Sequence, residues 1–192
     1  TNPFSIIISE LVHGRLFDYL CTQSIIVEDK IAKYIRQLFE ALNYLQQCKI
    51  VHLDIQVNKN CFYFFIEFIL FLNLAENLLI QTEFDQVKLC DFGDAIRLSN
   101  LKYTYRVNGN VEFAAPELIE GNQTVHYKTD IWSVGVVLYT LLSGLSPFLD
   151  ETEEQTCANI LNIDFNFPES QFPYAFQPVK DLIQQIFTRE IK

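Results

Sequence analysis

Residues 51–93 decide how this chain reads. They run Val51-His52-Leu53-Asp54-Ile55-Gln56, then an apolar run over 57–74, then Ala75-Glu76-Asn77-Leu78-Leu79-Ile80, a turn, and Lys88-Leu89-Cys90-Asp91-Phe92-Gly93. A short strand over 87–89 leads into Asp91. The run over 57–74 does not belong with its flanks. From Phe62 to Leu72 it is nearly all apolar, but a membrane-spanning helix needs about 20 such residues and Glu67 interrupts even this one. Ten or so large apolar side chains left in water would forgo on the order of 15 kcal/mol relative to burial. Phe, Ile, Leu, Asn, Lys and Tyr are also what A/T-rich codons specify. The run therefore reads as translated intron set into a loop, parting Asp54 from Asn77.

Working outward, the chain has 192 residues, 49% of them hydrophobic, with a mean hydropathy of +0.12, so one globular unit with a real core is expected and disorder is not. A net charge of −10 argues against nucleic acid or an anionic membrane as partner, since both reward a basic face. Cys21, Cys48, Cys61, Cys90 and Cys157 are odd in number and include no C-x-x-C pair, as expected of reduced thiols in a cytoplasmic protein. No basic, apolar and small-residue succession of a secretory leader opens the chain.

Phe4-Ser5-Ile6-Ile7-Ile8-Ser9 reads as a buried strand. Leu16, Phe17 and Leu20 then recur at helical spacing. A longer amphipathic helix is predicted over 28–47, with Ile31, Tyr34, Ile35, Leu38, Leu42 and Leu45 on one stripe and acids in its first turn. Residues 130–143 are apolar almost all round, which demands a buried helix, and Gly144 stops it. Helices are also expected after Ala115-Pro116-Glu117, from Glu151 onward, and over 179–187.

The ordered set of motifs carries a resemblance. His52-Leu53-Asp54-Ile55-Gln56, joined in the mind to Ala75-Glu76-Asn77, resembles the catalytic loop of a protein kinase, with Asp91-Phe92-Gly93 as the magnesium motif. Gly109-Asn110-Val111-Glu112-Phe113-Ala114-Ala115-Pro116-Glu117, Thr129-Asp130-Ile131-Trp132-Ser133 and Ser146-Pro147-Phe148 follow in the family's order. Together with Gly14-Arg15-Leu16-Phe17-Asp18-Tyr19-Leu20, the pattern is most similar to the serine/threonine kinase domains of the Trio and kalirin exchange factors, neighbours of the titin, obscurin and myosin-light-chain kinases.

That resemblance implies phosphoryl transfer from ATP, with Mg2+, to a serine or threonine of a protein substrate. Asp54 would orient the hydroxyl and take its proton, while Asn77 and Asp91 would hold magnesium. The Glu10 carbonyl and Val12 amide would meet adenine, with Ser9 as gatekeeper and Leu79 as the floor of the base pocket. Cys90 would face that pocket. Asp130 would cap backbone amides of the catalytic loop, and His52 would be structural. Tyr103, Thr104 and Tyr105 are candidate phosphoacceptors in the activation segment, 91–117. Rho exchange-factor modules are implied as neighbouring domains of the parent chain.

Two positions depart from the family. Leu53 replaces the Arg that receives a phosphorylated activation loop, and Gln56 replaces a Lys that offsets γ-phosphate charge. No G-x-G-x-x-G and no Val-Ala-Ile-Lys precede Phe4. The fold expected is therefore mostly α (α+β), a kinase C-terminal lobe with part of the hinge and the N-lobe absent, and the fragment is expected to be inactive. A kinase-like interaction module without transfer activity is the alternative.

Overall fold

In the computed structural model the residues described are 9–12, 14–23, 28–57, 77–98, 107, 110–121, 124–172 and 177–188. The expected strand over 4–9 lies almost wholly outside them, as do residues 58–74 of the apolar run, Ala75 and Glu76 after it, and Tyr103, Thr104 and Tyr105. Val57, the first residue of the run, is described and buried.

Strand β1 (Gly14–Arg15) leads directly into helix α1 (Leu16–Cys21), whose Leu16, Phe17 and Leu20 are buried. Helix α2 (Glu28–Gln47) has the predicted bounds and buries the predicted stripe, Ile31, Tyr34, Ile35, Leu38, Leu42 and Leu45. Strand β2 (Ile50–Val51) follows at once. The hairpin β3 (Leu78–Gln81) and β4 (Gln86–Leu89) pairs antiparallel with Leu78 opposite Leu89, and β1 joins the other edge of β3 with Arg15 opposite Leu79. Strand β5 (Ile96–Arg97) pairs with β2 as a separate ribbon.

Helix α2 grips the hairpin through polar side chains. Asp85, in the turn, accepts hydrogen bonds from Lys33 and, at 2.5 Å, from the Tyr34 hydroxyl. Gln37 accepts from the Val87 amide at 2.7 Å and donates to the Asp85 carbonyl at 3.2 Å. Asp85 sits at φ 53°, a left-handed conformation that Asp tolerates better than most residues.

The short helix α3 (Pro116–Glu120) begins with proline at its first position, where no amide is needed, and Gly121 ends it in the left-handed conformation at φ 68°. Helix α4 (Tyr127–Ser143) runs through the core. His126 and Thr129 form a reciprocal cap at its start, and Gly144 at φ 74° ends it. Helices α5 (Glu153–Asn162) and α6 (Gln177–Ile186) complete the bundle. Gly135 on α4 is where α6 comes closest: a Cβ there would lie 2.5 Å from Ile186 Cγ2 and 2.9 Å from Phe187 Cε1. Beside that contact Trp132 stacks on Phe148 at 5.3 Å, and Phe187 and Phe165 close around them edge-on or tilted.

Candidate functional site

The site forms where β2 ends. Asp130, in the first turn of α4 and 3% exposed, accepts the His52 amide at 2.8 Å and the Leu53 amide at 2.9 Å, one on each carboxylate oxygen. Leu53 has φ 69°, which costs a side-chain-bearing residue roughly 1–2 kcal/mol, so Asp130 holds the loop in a conformation its sequence alone would leave. Burial pushes the Asp130 carboxyl up to about 6, against the pull of the two amides.

His52 is fully buried, and its ring lies edge-on to Phe92 at 4.7 Å. Its Nε2 is 3.0 Å from the Cys90 carbonyl, which can only accept, so Nε2 carries the proton. Nδ1 is then the acceptor for the Asp54 amide at 3.3 Å. Burial lowers the His52 pKa, in keeping with a neutral ring.

Asn77 binds the halves of the site together. It is 2% exposed; its amide donates to the Gln56 carbonyl at 3.3 Å and its carbonyl accepts from Cys90 at 3.0 Å. Its side-chain Nδ2 donates to the Asp54 carbonyl at 2.7 Å and to Asp54 Oδ2 at 2.6 Å. The apolar run therefore does not part Asp54 from Asn77, as its length in sequence suggests, because the chain on either side of it closes on itself. Gln56 Nε2 holds the other oxygen, Oδ1, at 2.7 Å. Burial raises the Asp54 pKa, the charges of Asp94 and Asp91 add to that rise, and the Asn77 and Gln56 amides oppose it.

Asp91 lies exposed at φ 58°, with Oδ1 accepting the Gly93 amide at 3.1 Å. Glu10, exposed, pairs with Lys88 of β4 at 3.1 Å. Val12 is half-buried beside β1, and Leu79, half-buried on β3, lies across the sheet from both Arg15 and Lys88. Leu79 and Lys88, the partner of Glu10, thus pair next to Leu78 and Leu89, at the end of the sheet from which the chain passes to Asp91. A cavity of 150 Å³ opens against Asp54 and is lined also by Gln56, Asp94, Asn110 and Phe113. A larger apolar groove of 560 Å³, between α2, α4 and α6, lies away from these groups.

Sequence reasoning passed over Asp94 and, although it named Asn77 and Gln56, it did not foresee their hold on Asp54. Asp94 had a signal, as a second acid three residues after Asp91, whereas the Gln56 contact is made across a turn that no periodicity encodes. Glu117 is buried and accepts the Thr129 hydroxyl at 2.6 Å.

The protein kinase domain model matches this chain over residues 1–192. The chain belongs to the protein kinase family. It is 34% identical over 183 residues to striated muscle preferentially expressed protein kinase of Danio rerio, covering 94% of this chain and 5% of that protein. It is 33% identical over 188 residues to death-associated protein kinase 2 of Homo sapiens, covering 97% of this chain and 46% of that protein. Identity is also 33% to the death-associated protein kinase dapk-1 of Caenorhabditis elegans, over 97% of this chain and 12% of that protein. The chain thus spans less than half the length of the curated relatives it matches. Membership of this family brings with it the family's use of ATP and Mg2+.

Two expectations are corrected. The likeness is to death-associated and striated-muscle kinases rather than to the Trio and kalirin domains, so the implied Rho exchange-factor neighbours lose their support. A C-terminal lobe with the N-lobe absent is also overturned, because the kinase domain model matches residues 1–192 and five short strands, as a three-stranded sheet and a separate ribbon, stand beside the helical bundle. Both errors have one cause: a few short motifs were weighed more heavily than the pattern of the whole chain, and a missing glycine signature was read as a missing lobe. The inactivity argued from that lobe loses its ground as well. Among the described residues no helix is long and apolar enough to cross a membrane.

Proposed function

We propose that this domain transfers the γ-phosphoryl group of ATP to a serine or threonine hydroxyl of a protein substrate, with Asp54 as the residue that orients the hydroxyl and accepts its proton. The observation that supports this most directly is the setting of Asp54: a carboxylate with both oxygens held by side-chain amides, opening on a cavity between the loop and Phe113. A carboxylate fixed in this way meets the geometric need of the reaction, in which positioning and electrostatics supply nearly all the catalysis.

The donor set fits magnesium. Asn77 spends Nδ2 on Asp54, which leaves its Oδ1 to coordinate, and Asp91 presents an exposed carboxylate. Mg2+ takes hard oxygen ligands and commonly only one or two from protein, the rest coming from phosphates and water. This agrees with the lack, among the described residues, of a three-ligand cluster of His, Cys, Asp and Glu. When bound, the ion would neutralise charge developing on the phosphates. Asp54 and Asn77 would keep the acceptor hydroxyl and the metal side of the site in fixed relation. For adenine we assign the Glu10 carbonyl, the Val12 amide and the Leu79 side chain, the first two because a backbone acceptor and donor on one edge match the base. The cytoplasm is the proposed location, in keeping with the odd number of cysteines and the absence of a C-x-x-C pair.

The test is phosphate transfer from Mg-ATP to a serine-containing basic peptide, measured on the chain and on Asp54→Asn and Asp91→Asn. Asp54→Asn is expected to lower the rate about 10²–10⁴-fold, the usual span for losing a positioned base. No transfer above background by the chain would replace this reading with that of a non-transferring interaction module, and measurable but equal rates in the chain and in Asp54→Asn would remove Asp54 from the role assigned to it.

A further inference from the structure

We propose that Gln56 is a positioning residue for Asp54, fixing the plane of its carboxylate together with Asn77. The proposal rests on the phosphoryl-transfer reading for its consequence in rate, and on geometry for the contact itself.

A carboxylate turns easily about its last torsion, and a single hydrogen bond leaves it a hinge. Here Asn77 Nδ2 holds Oδ2 at 2.6 Å and Gln56 Nε2 holds Oδ1 at 2.7 Å, so neither oxygen can swing without breaking a bond. The two clamps are tied to each other, since the Asn77 amide donates to the Gln56 carbonyl at 3.3 Å. Gln56 is half-buried and lines the 150 Å³ cavity with Asp54 and Asp94. The charges bearing on Asp54 come from Asp94 and Asp91, both acids. A neutral donor can therefore hold Asp54 without forming an ion pair that would compete with a substrate hydroxyl for its lone pairs. Loss of the family's cation at this place, read from sequence as a deficit, becomes an exchange of charge for orientation.

Two measurements on the full chain test this. In the first, the Gln56 side-chain amide protons are assigned by their disappearance in Gln56→Leu and followed in Asp54→Ala by NMR. They are expected to shift and exchange faster with solvent in Asp54→Ala while other glutamine side chains stay in place; unchanged Gln56 protons overturn the proposal whether or not the chain turns over. In the second, Gln56→Leu and Gln56→Asn, which remove or shorten the donor, are expected to lower kcat on the order of 10- to 100-fold with KM for ATP and peptide within about twofold. Thermal midpoints are expected to be alike across the set. A Gln56→Leu variant that keeps full kcat, or that changes KM instead, overturns the proposal. If Asp54→Asn also keeps full kcat, the phosphoryl-transfer reading fails separately, and the NMR result alone decides the contact.

Discussion

Around Asp54, polar atoms from four distant parts of the chain meet: the loop itself, Asn77, Cys90 and Asp130. Around Trp132, on the same helix as Asp130 and less than one turn further on, the contacts are ring against ring with Phe148 and Phe187. One helix therefore serves two regions by opposite physics. Dispersion and burial tolerate small shifts, because many weak contacts share the load. A hydrogen-bonded loop holding strained backbone tolerates none, since each lost partner leaves a buried group unsatisfied. The reactive end of the molecule is thus the less forgiving one.

The sharpest way to break that contrast is to cut each of the two regions that α4 serves. Asp130→Ala strips the acceptor from two buried amides, His52 and Leu53, and should cost about 3–5 kcal/mol on thermal or denaturant unfolding. Phosphate transfer should be lost at temperatures where the protein is still folded. Trp132→Ala should cost a similar 3–5 kcal/mol yet leave the folded fraction active. Equal activity losses in the two variants, matched for folding, would erase the distinction.

The next effect is smaller and depends on pH. Asp130 titrates near 6 in the folded chain against a usual 3.8, so the folded state binds the extra proton between those values. Stability from this group is full below about pH 4, falls as pH rises to about 6, and is flat above, a change of about 3 kcal/mol. His52 opposes it, since a pKa lowered by burial makes its contribution full above the unfolded value of 6.5 and lost as pH falls through the folded value. Unfolding measured against Asp130→Asn across pH 4–7 isolates the first slope; a difference that rises with pH would contradict it.

Excising residues 58–75 sharpens the picture of the loop. It leaves Val57, which is buried, and Glu76 between Gln56 and Asn77, so the 3.3 Å bond from the Asn77 amide to the Gln56 carbonyl becomes the i to i+3 bond of a β-turn. Closing two residues instead of twenty should stabilise the fold by about 2 kcal/mol, while turnover is kept or raised. Loss of folding in the excised chain would show that the Asp54 site needs the run. Smallest is Gly135→Ala, whose Cβ would press on Ile186 and Phe187; a cost of about 1–2 kcal/mol and no change in KM is expected, as befits the packed stretch of α4.

How much of this was legible in the chain follows the same divide. Helix α2 could be read to its bounds because its apolar residues repeat every three or four positions, and α4 in its body, though not its first three residues, because nothing charged interrupts it after Asp130. Asp54, Asn77 and Asp91 stood out by their order, although 22 residues separate Asp54 from Asn77 in the numbering. The left-handed Leu53 was not legible, since leucine has no preference for that conformation and only a carboxylate 77 positions away imposes it. Gln56 was misjudged for a related reason: its charge could be read from its identity, but its reach to Asp54 could not.

The grip of α2 on the hairpin turn has a consequence for the order in which the chain comes apart. Lys33 and Tyr34 in one turn of the helix and Gln37 in the next all fasten on the residues around Asp85, whose carboxyl Lys33 and Tyr34 hold below its ordinary range. The hairpin cannot open while these bonds stand, and the helix cannot fray at that level without releasing the hairpin. Amide protons of β3, β4 and the middle of α2 therefore belong to a single cooperative unit, exchanging with solvent together and later than those of β5 or α1. The strands that carry Asn77 and lead to Asp91 inherit their persistence from a helix that contributes no group to the chemistry.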